Sequence, residues 1–144
     1  MNICFTPQAS QYKKDTLNNA EGFREIFGRM PSHIDILVVS DIDDIDDFVK
    51  CNIDTCVCFG DNASKTARLK AVNSIISCGM NFFDSVTFSS IGEDTSLICI
   101  RRPLVVLDKI VEPCEFKFPF DRTKSIYQNL VVGLISHITN EIKE

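Results

Sequence analysis

The chain has 144 residues, of which 44% are hydrophobic and 24% charged, and it carries a net charge of −5. That is the usual size of one domain with one core, and the balance is that of a globular protein, which excludes a disordered or membrane-spanning chain. The negative charge and the want of a basic cluster argue against nucleic acid, whose affinity rests mainly on Lys and Arg neutralising phosphates. No apolar run approaches the roughly 20 residues of a membrane-spanning helix.

In chain order, Asn2–Phe5 and Ile34–Val39 are short apolar, β-branched runs that predict strands. Between them, residues 16–28 carry apolar side chains at helical spacing, with Gly28 as the stop, so the first unit is βαβ. Ser40 caps an expected helix over Asp41–Lys50, followed by a strand over Thr55–Phe59, a helix over Ala63–Asn73 and a strand over Ile75–Cys78. This alternation predicts a parallel sheet.

Beyond Gly79 the rhythm changes. Ser85–Ser90, Ser96–Ile100, Leu104–Leu107 and Glu115–Phe118 are strand-like runs broken by turn residues, which predicts antiparallel hairpins. Lys124–Ile142 closes the chain as an amphipathic helix whose apolar stripe should dock on the sheet. The expected fold is a single α/β domain over residues 1–144: three layers, a mixed sheet with parallel βαβ units in the first half, and antiparallel hairpins plus a closing helix in the second. The opening residues lack the pattern of a secretory signal, and seven cysteines in mostly apolar runs read as reduced core thiols, so the expected compartment is the cytoplasm.

No complete catalytic signature is present. The acidic run at residues 40–47 could gather a hard cation, but acidic residues in a first helical turn stabilise that turn without a ligand. Cys56 and Cys58 share a strand face, yet a zinc site needs more ligands than His33 and His137 supply. Neither histidine has an evident nucleophile or orienting acid beside it. Arg101-Arg102-Pro103 could clamp an anion, although a blunted edge strand explains it as well. Asp61 and Asn62 follow a strand and open a helix, and Gly79 ends the next strand, so all three fall on the carboxyl edge where open α/β sheets bind ligands. Thr6 and Ser40 are expected at the same edge.

Three segments in order carry a family resemblance: Phe59-Gly60-Asp61-Asn62, then Ile75–Met80, then Asp84–Ile91. Together with Phe116–Phe120 and the helix Ser125–Val132, they resemble the second half of the central domain of Mur ligases. The resemblance spans roughly residues 34–137. It matches Asn129 to the second asparagine of the family's His-Asn-x-x-Asn helix, while Ser125 and Ile126 stand where the family has His-Asn. The family's members are ATP-dependent amide-forming ligases. Their phosphate loop, magnesium ligands and carboxyl-terminal domain find no counterpart here, so the resemblance implies a shortened scaffold without the ligase chemistry.

These readings favour a non-catalytic protein that works by binding, with no resident cofactor. Its target is a partner protein or a small ligand at the strand-end edge, contacted through Asp61, Asn62, Gly79 and Asn129. A homodimer is expected because hairpin edges need cover. The alternatives are a nucleotide-binding enzyme or subunit taking ATP and Mg²⁺, as the resemblance implies, and a receiver-like regulatory module built on Asp41.

Overall fold

A computed structural model describes residues 2–6, 9, 24–25, 32–39, 48, 50–60, 69 and 72–142. The expected helices over residues 16–28, 41–50 and 63–73 lie largely outside them.

The described strands are β1 (Asn2–Phe5), β2 (Arg24–Glu25), β3 (His33–Val38), β4 (Asn52–Phe59), β5 (Val72–Cys78), β6 (Val86–Ile91), β7 (Thr95–Ile100), β8 (Leu104–Val106), β9 (Lys109–Val111) and β10 (Cys114–Pro119). One helix, α1 (Ile126–Ile142), closes the described chain. The fold is mixed α/β. Eight strands form one sheet in the order β10-β7-β6-β5-β4-β3-β1-β2, and β8 and β9 form a separate hairpin. The parallel half runs from β2 to β5, and β6, β7 and β10 form an antiparallel meander.

Two expectations are corrected. Arg24 and Glu25, inside the expected first helix, pair with Asn2 and Ile3 as a short parallel strand. Val72 and Asn73, given to the third helix, belong to β5, where Ile53 pairs with Val72. In both cases sheet pairing outweighs local helical spacing.

The halves join through an offset. β5 and β6 run parallel but share one register pair, Cys78↔Val86, so β6 starts where β5 ends. The meander therefore extends beyond the carboxyl ends of the parallel strands. The short crossover between them, residues 79–85, is packed onto that edge, with the Gly79 N–H donating to the Val86 carbonyl at 3.1 Å and the Ser85 N–H to the Ser77 carbonyl at 3.0 Å.

Every residue from Ile53 to Cys58 of β4 is buried, the mark of a strand covered on both faces. One core gathers Ile36, Val38, Val57 and Ile76 with Leu130, Leu134 and Ile138 of α1, and a smaller one gathers Leu37, Val39, Cys56 and Cys58 with Phe48 and Leu69. The expected docking of the closing helix is thus observed. At Gly133 a Cβ would run into Ile98 and Phe118, so glycine lets α1 sit close on β7 and β10. No helix among the described residues is long and apolar enough to cross a membrane.

Candidate functional site

The carboxyl ends of β3 and β4 meet the start of α1. Tyr127, in the first turn of that helix, donates its phenolic O–H to the Val39 carbonyl at 2.6 Å, with the Val57 carbonyl at 3.3 Å. Its ring lies edge-on to Phe59 at 5.5 Å. One side chain thus ties the helix to two strand ends, because a buried phenol needs a partner for its hydroxyl. Thr6 is fully buried at the end of β1, and its N–H donates to the Val38 carbonyl at 3.0 Å.

Asp84 dominates the edge. It is fully buried, and it lies between Gly60, which follows β4, and Gly79, which follows β5. A Cβ on Gly79 would sit 2.5 Å from its Oδ2, and one on Gly60 would collide with its Oδ1. The two glycines therefore form the cradle that admits the carboxylate. Oδ2 accepts the Asn81 N–H at 2.9 Å, and the Asp84 N–H returns a bond to the Asn81 carbonyl at 3.0 Å. Among the described residues Oδ1 has no hydrogen-bond partner, and it has no access to solvent.

The groups around this carboxylate are poor nucleophiles. Burial first, and the Asp84 charge second, push the Cys58 thiol up to about 12. Cys78 is raised by burial, then by Cys58 and Asp84. Cys56 is raised by burial and by Cys58. These thiols stay protonated at neutral pH, and thiolate is the reactive form. Cys56, Cys58 and Cys78 are in no disulfide.

The loop after Gly79 is pinned from outside as well. Arg101, just past β7, donates through Nη1 to the Asn81 carbonyl at 3.0 Å and also to the Phe82 carbonyl. Arg102 donates through Nη2 to the Phe83 carbonyl at 2.7 Å. The pair is therefore a brace for the crossover, beyond the blunted strand end expected from sequence. Thr87 holds Met80 through an O–H to Sδ contact of 3.6 Å.

A separate cavity of about 200 Å³ opens at the amino end of α1, lined by Phe118, Phe120, Asp121, Lys124, Gln128 and Asn129 among others. Ser125 caps the helix, its Oγ accepting the Gln128 N–H at 3.0 Å. Asn129, the expected ligand contact, lines the cavity but spends its amide on the preceding turn. Its Oδ1 accepts the Asp121 N–H at 2.9 Å, and its Nδ2 donates to the Asp121 carbonyl at 3.0 Å and the Ser125 carbonyl at 2.9 Å. The Thr123 hydroxyl and N–H, both donating to Asp121, hold that exposed carboxyl below its usual range.

Of the expected contacts, Gly79 lies at the Asp84 cradle, Asn129 lies at the helix cavity, and Asp61, Asn62 and Ser40 fall outside the described residues. The acidic run around Asp41 also falls outside them. His33 sits at the opposite, amino end of β3 and contacts Asp35 at 3.0 Å. His137, late in α1, stacks on Phe116 at 4.3 Å with its Nε2 3.5 Å from Cys114 Sγ. Burial lowers its pKa, with Glu141 opposing. Among the described residues, no three His, Cys, Asp or Glu side chains gather where a metal ion could be held. Asp84, Tyr127 and the arginine brace are the features that sequence reasoning did not assign to the site. The one available signal was a lone acid in the apolar stretch Phe82-Phe83-Asp84-Ser85-Val86 between two strands. Comparison with protein-family models, with curated proteins and with solved structures finds no match for the chain.

Proposed function

We propose that this chain works by binding, without turning a substrate over, on a three-layer scaffold resembling the central domain of Mur ligases. The binding surface is the carboxyl edge from Gly60 to the Gly79–Asp84 crossover, and Asp61 and Asn62, next after Gly60 in the sequence, are proposed as contacts with it. In this reading the protein acts in the cytoplasm, as a homodimer, and needs no cofactor.

One observation carries the reading: the fully buried Asp84 carboxylate with an unpartnered Oδ1. Such a group costs about 1–3 kcal/mol of stability. A fold that retains that cost at the ligand-binding edge of an α/β sheet has a use for the group there. An incoming N–H, O–H or cation would satisfy it once the edge adjusts. The protonated thiols beside it supply neither nucleophile nor base, which favours binding over catalysis.

A second reading, a nucleotide-binding enzyme or subunit taking ATP and Mg²⁺, is favoured by Asn129 lining a cavity at a helix amino end. That cavity is smaller than the 300–1,000 Å³ usual for such ligands, so it would hold only part of a nucleotide. Thermal unfolding with Mg²⁺ alone, Mg·ATP, ADP and free amino acids separates the readings, because a ligand of the native state raises its stability. A rise that Asp84→Asn removes and Asn129→Ala leaves supports the first. A rise with Mg·ATP that Asn129→Ala removes supports the second. No rise with any probe discards the small-ligand form of both and leaves the protein-partner form of the first.

A further inference from the structure

The 79–85 crossover spends its polar groups inward and its apolar side chains outward. Asp84 and Asn81 bond each other twice, Arg101 and Arg102 brace three successive carbonyls, and Thr87 holds Met80. Yet Phe82 is 87% exposed, Met80 54% and Phe83 47%. The two phenyl rings meet edge to face at 6.0 Å. Exposed aromatics on a braced loop have already met the entropy of ordering, the usual route to affinity in a preformed interface. Scattered surface apolar residues need no explanation, but three within four residues, held this firmly, form a patch that does.

Charge says what fits it. Carbonyl oxygens do not neutralise a guanidinium, and among the described residues no carboxylate pairs with Arg101 or Arg102. Two full positive charges therefore border the apolar knuckle on a chain whose net charge is −5. Aromatic residues, Met and Arg are the types enriched in protein interfaces. A membrane surface is a poorer match, since electrostatic attachment to anionic lipid draws on clusters of four to eight basic residues.

We infer that the Met80–Phe83 knuckle, with Arg101 and Arg102, is a docking surface for a protein partner that presents apolar side chains beside carboxylates. The phenyl rings enter an apolar groove on the partner, and the two guanidiniums face its acids. This goes beyond the reading of the chain as a binding protein by naming the surface and the partner's chemistry.

The test uses the full chain and short fluorescent peptides that alternate Leu with Glu, Lys or Ser, followed by anisotropy. Saturable binding of the Glu peptide alone is expected, weakened about tenfold or more by Phe82→Ser and by Arg102→Gln, a loss of about 1.4 kcal/mol. Because Phe82 is almost wholly exposed, Phe82→Ser should keep the wild-type unfolding midpoint. No binding of the Glu peptide, equal binding of the Lys peptide, or binding indifferent to Phe82→Ser overturns the inference. So does a doubled mass by light scattering that Phe82→Ser halves, which gives the knuckle to a second copy. Vesicles of anionic phospholipid that bind the chain through Phe82, with no peptide response, overturn it in favour of a membrane. A ligand-induced thermal shift that survives Phe82→Ser leaves the small-ligand reading standing whichever way the peptides behave.

Discussion

The Asp54 carboxylate accepts the N–H of Leu107, 53 residues further along, at 2.8 Å. Leu107 and Asp108 have φ of 51° and 64°, the left-handed pair of a two-residue hairpin turn, and connect β8 to β9. Leucine has no intrinsic preference for that conformation, so the bond from its N–H to a buried acid is what holds the turn. Asp54 also accepts the Thr55 hydroxyl at 2.9 Å and the Asn73 amide at 3.2 Å, so one carboxylate joins β4, β5 and the hairpin.

Asp54→Ala should therefore cost about 2–4 kcal/mol, the sum expected when hydrogen bonds to a charged, buried group are lost together. Native-state hydrogen exchange should show the Leu107 amide losing protection before the strands do. Protection at Leu107 equal to wild type would contradict the assignment.

Cradle and carboxylate should be coupled at Asp84. Gly79→Ala places a methyl 2.5 Å from Oδ2, and the strain should cost about 1–3 kcal/mol. In an Asp84→Ala background the methyl has room, so the same change should cost much less. Urea unfolding of the four proteins in this cycle measures the coupling; additive effects would count against the cradle.

Tyr127→Phe removes the hydroxyl donated to the Val39 and Val57 carbonyls, of which the Val57 carbonyl keeps the Val39 N–H at 3.0 Å. A loss of about 1–3 kcal/mol is expected. Exchange protection should fall first at the strand ends it joins, and uniform loss across the sheet would argue for a general packing role.

The buried thiols predict alkaline lability. Burial raises Cys56, Cys58 and Cys78 in the folded state, whereas the unfolded chain ionises near 9.0. A raised acid contributes stability that is fully present below the unfolded value and lost as pH rises above it, because only the unfolded state then releases its proton. At about pH 10 each thiol should cost roughly 1.4 kcal/mol. Unfolding midpoints that stay flat from neutral to about pH 10 would contradict this, and Cys58→Ala should remove part of the slope.

On the acid side His137 contributes. Its pKa is lowered by burial, with Glu141 opposing, so the folded state disfavours the imidazolium. Stability should be full above the ordinary histidine value of 6.5 and fall as acidification protonates the unfolded chain first. His137→Gln should flatten the curve in that window, as read from urea unfolding at several pH values.

Most of the strand plan was legible in the residues. Ile34–Val39, Thr55–Phe59 and Ile75–Cys78 are dense apolar runs, and the observed strands contain nearly all of each. The closing helix was readable because its apolar stripe is long, and Ser125 fixes its start two residues later than expected. What escaped depends on partners distant in sequence. The residues predict a break at Asp108-Lys109, but Asp54, from β4, draws the turn back to Leu107-Asp108, so Lys109 falls in β9, which went unforeseen. Arg24 and Glu25 are strand only because β1 lies beside them. The candidate site was legible as an edge but not as a mechanism. Gly79 was expected there, while the role of Asp84 follows from two glycines on different strands closing around it, and the arginine brace from a return of the chain 20 residues later.

In the proposed reading the carboxyl edge is built for binding before any partner arrives, with Phe82 and Phe83 displayed on a fixed crossover. Backbone ¹⁵N relaxation of the free chain decides this. Order parameters for Asn81, Phe82 and Phe83 near the roughly 0.85 of rigid backbone, matching those of β5 and β6, are predicted. Values below about 0.6 at these three residues would mean a loose loop and would contradict the claim.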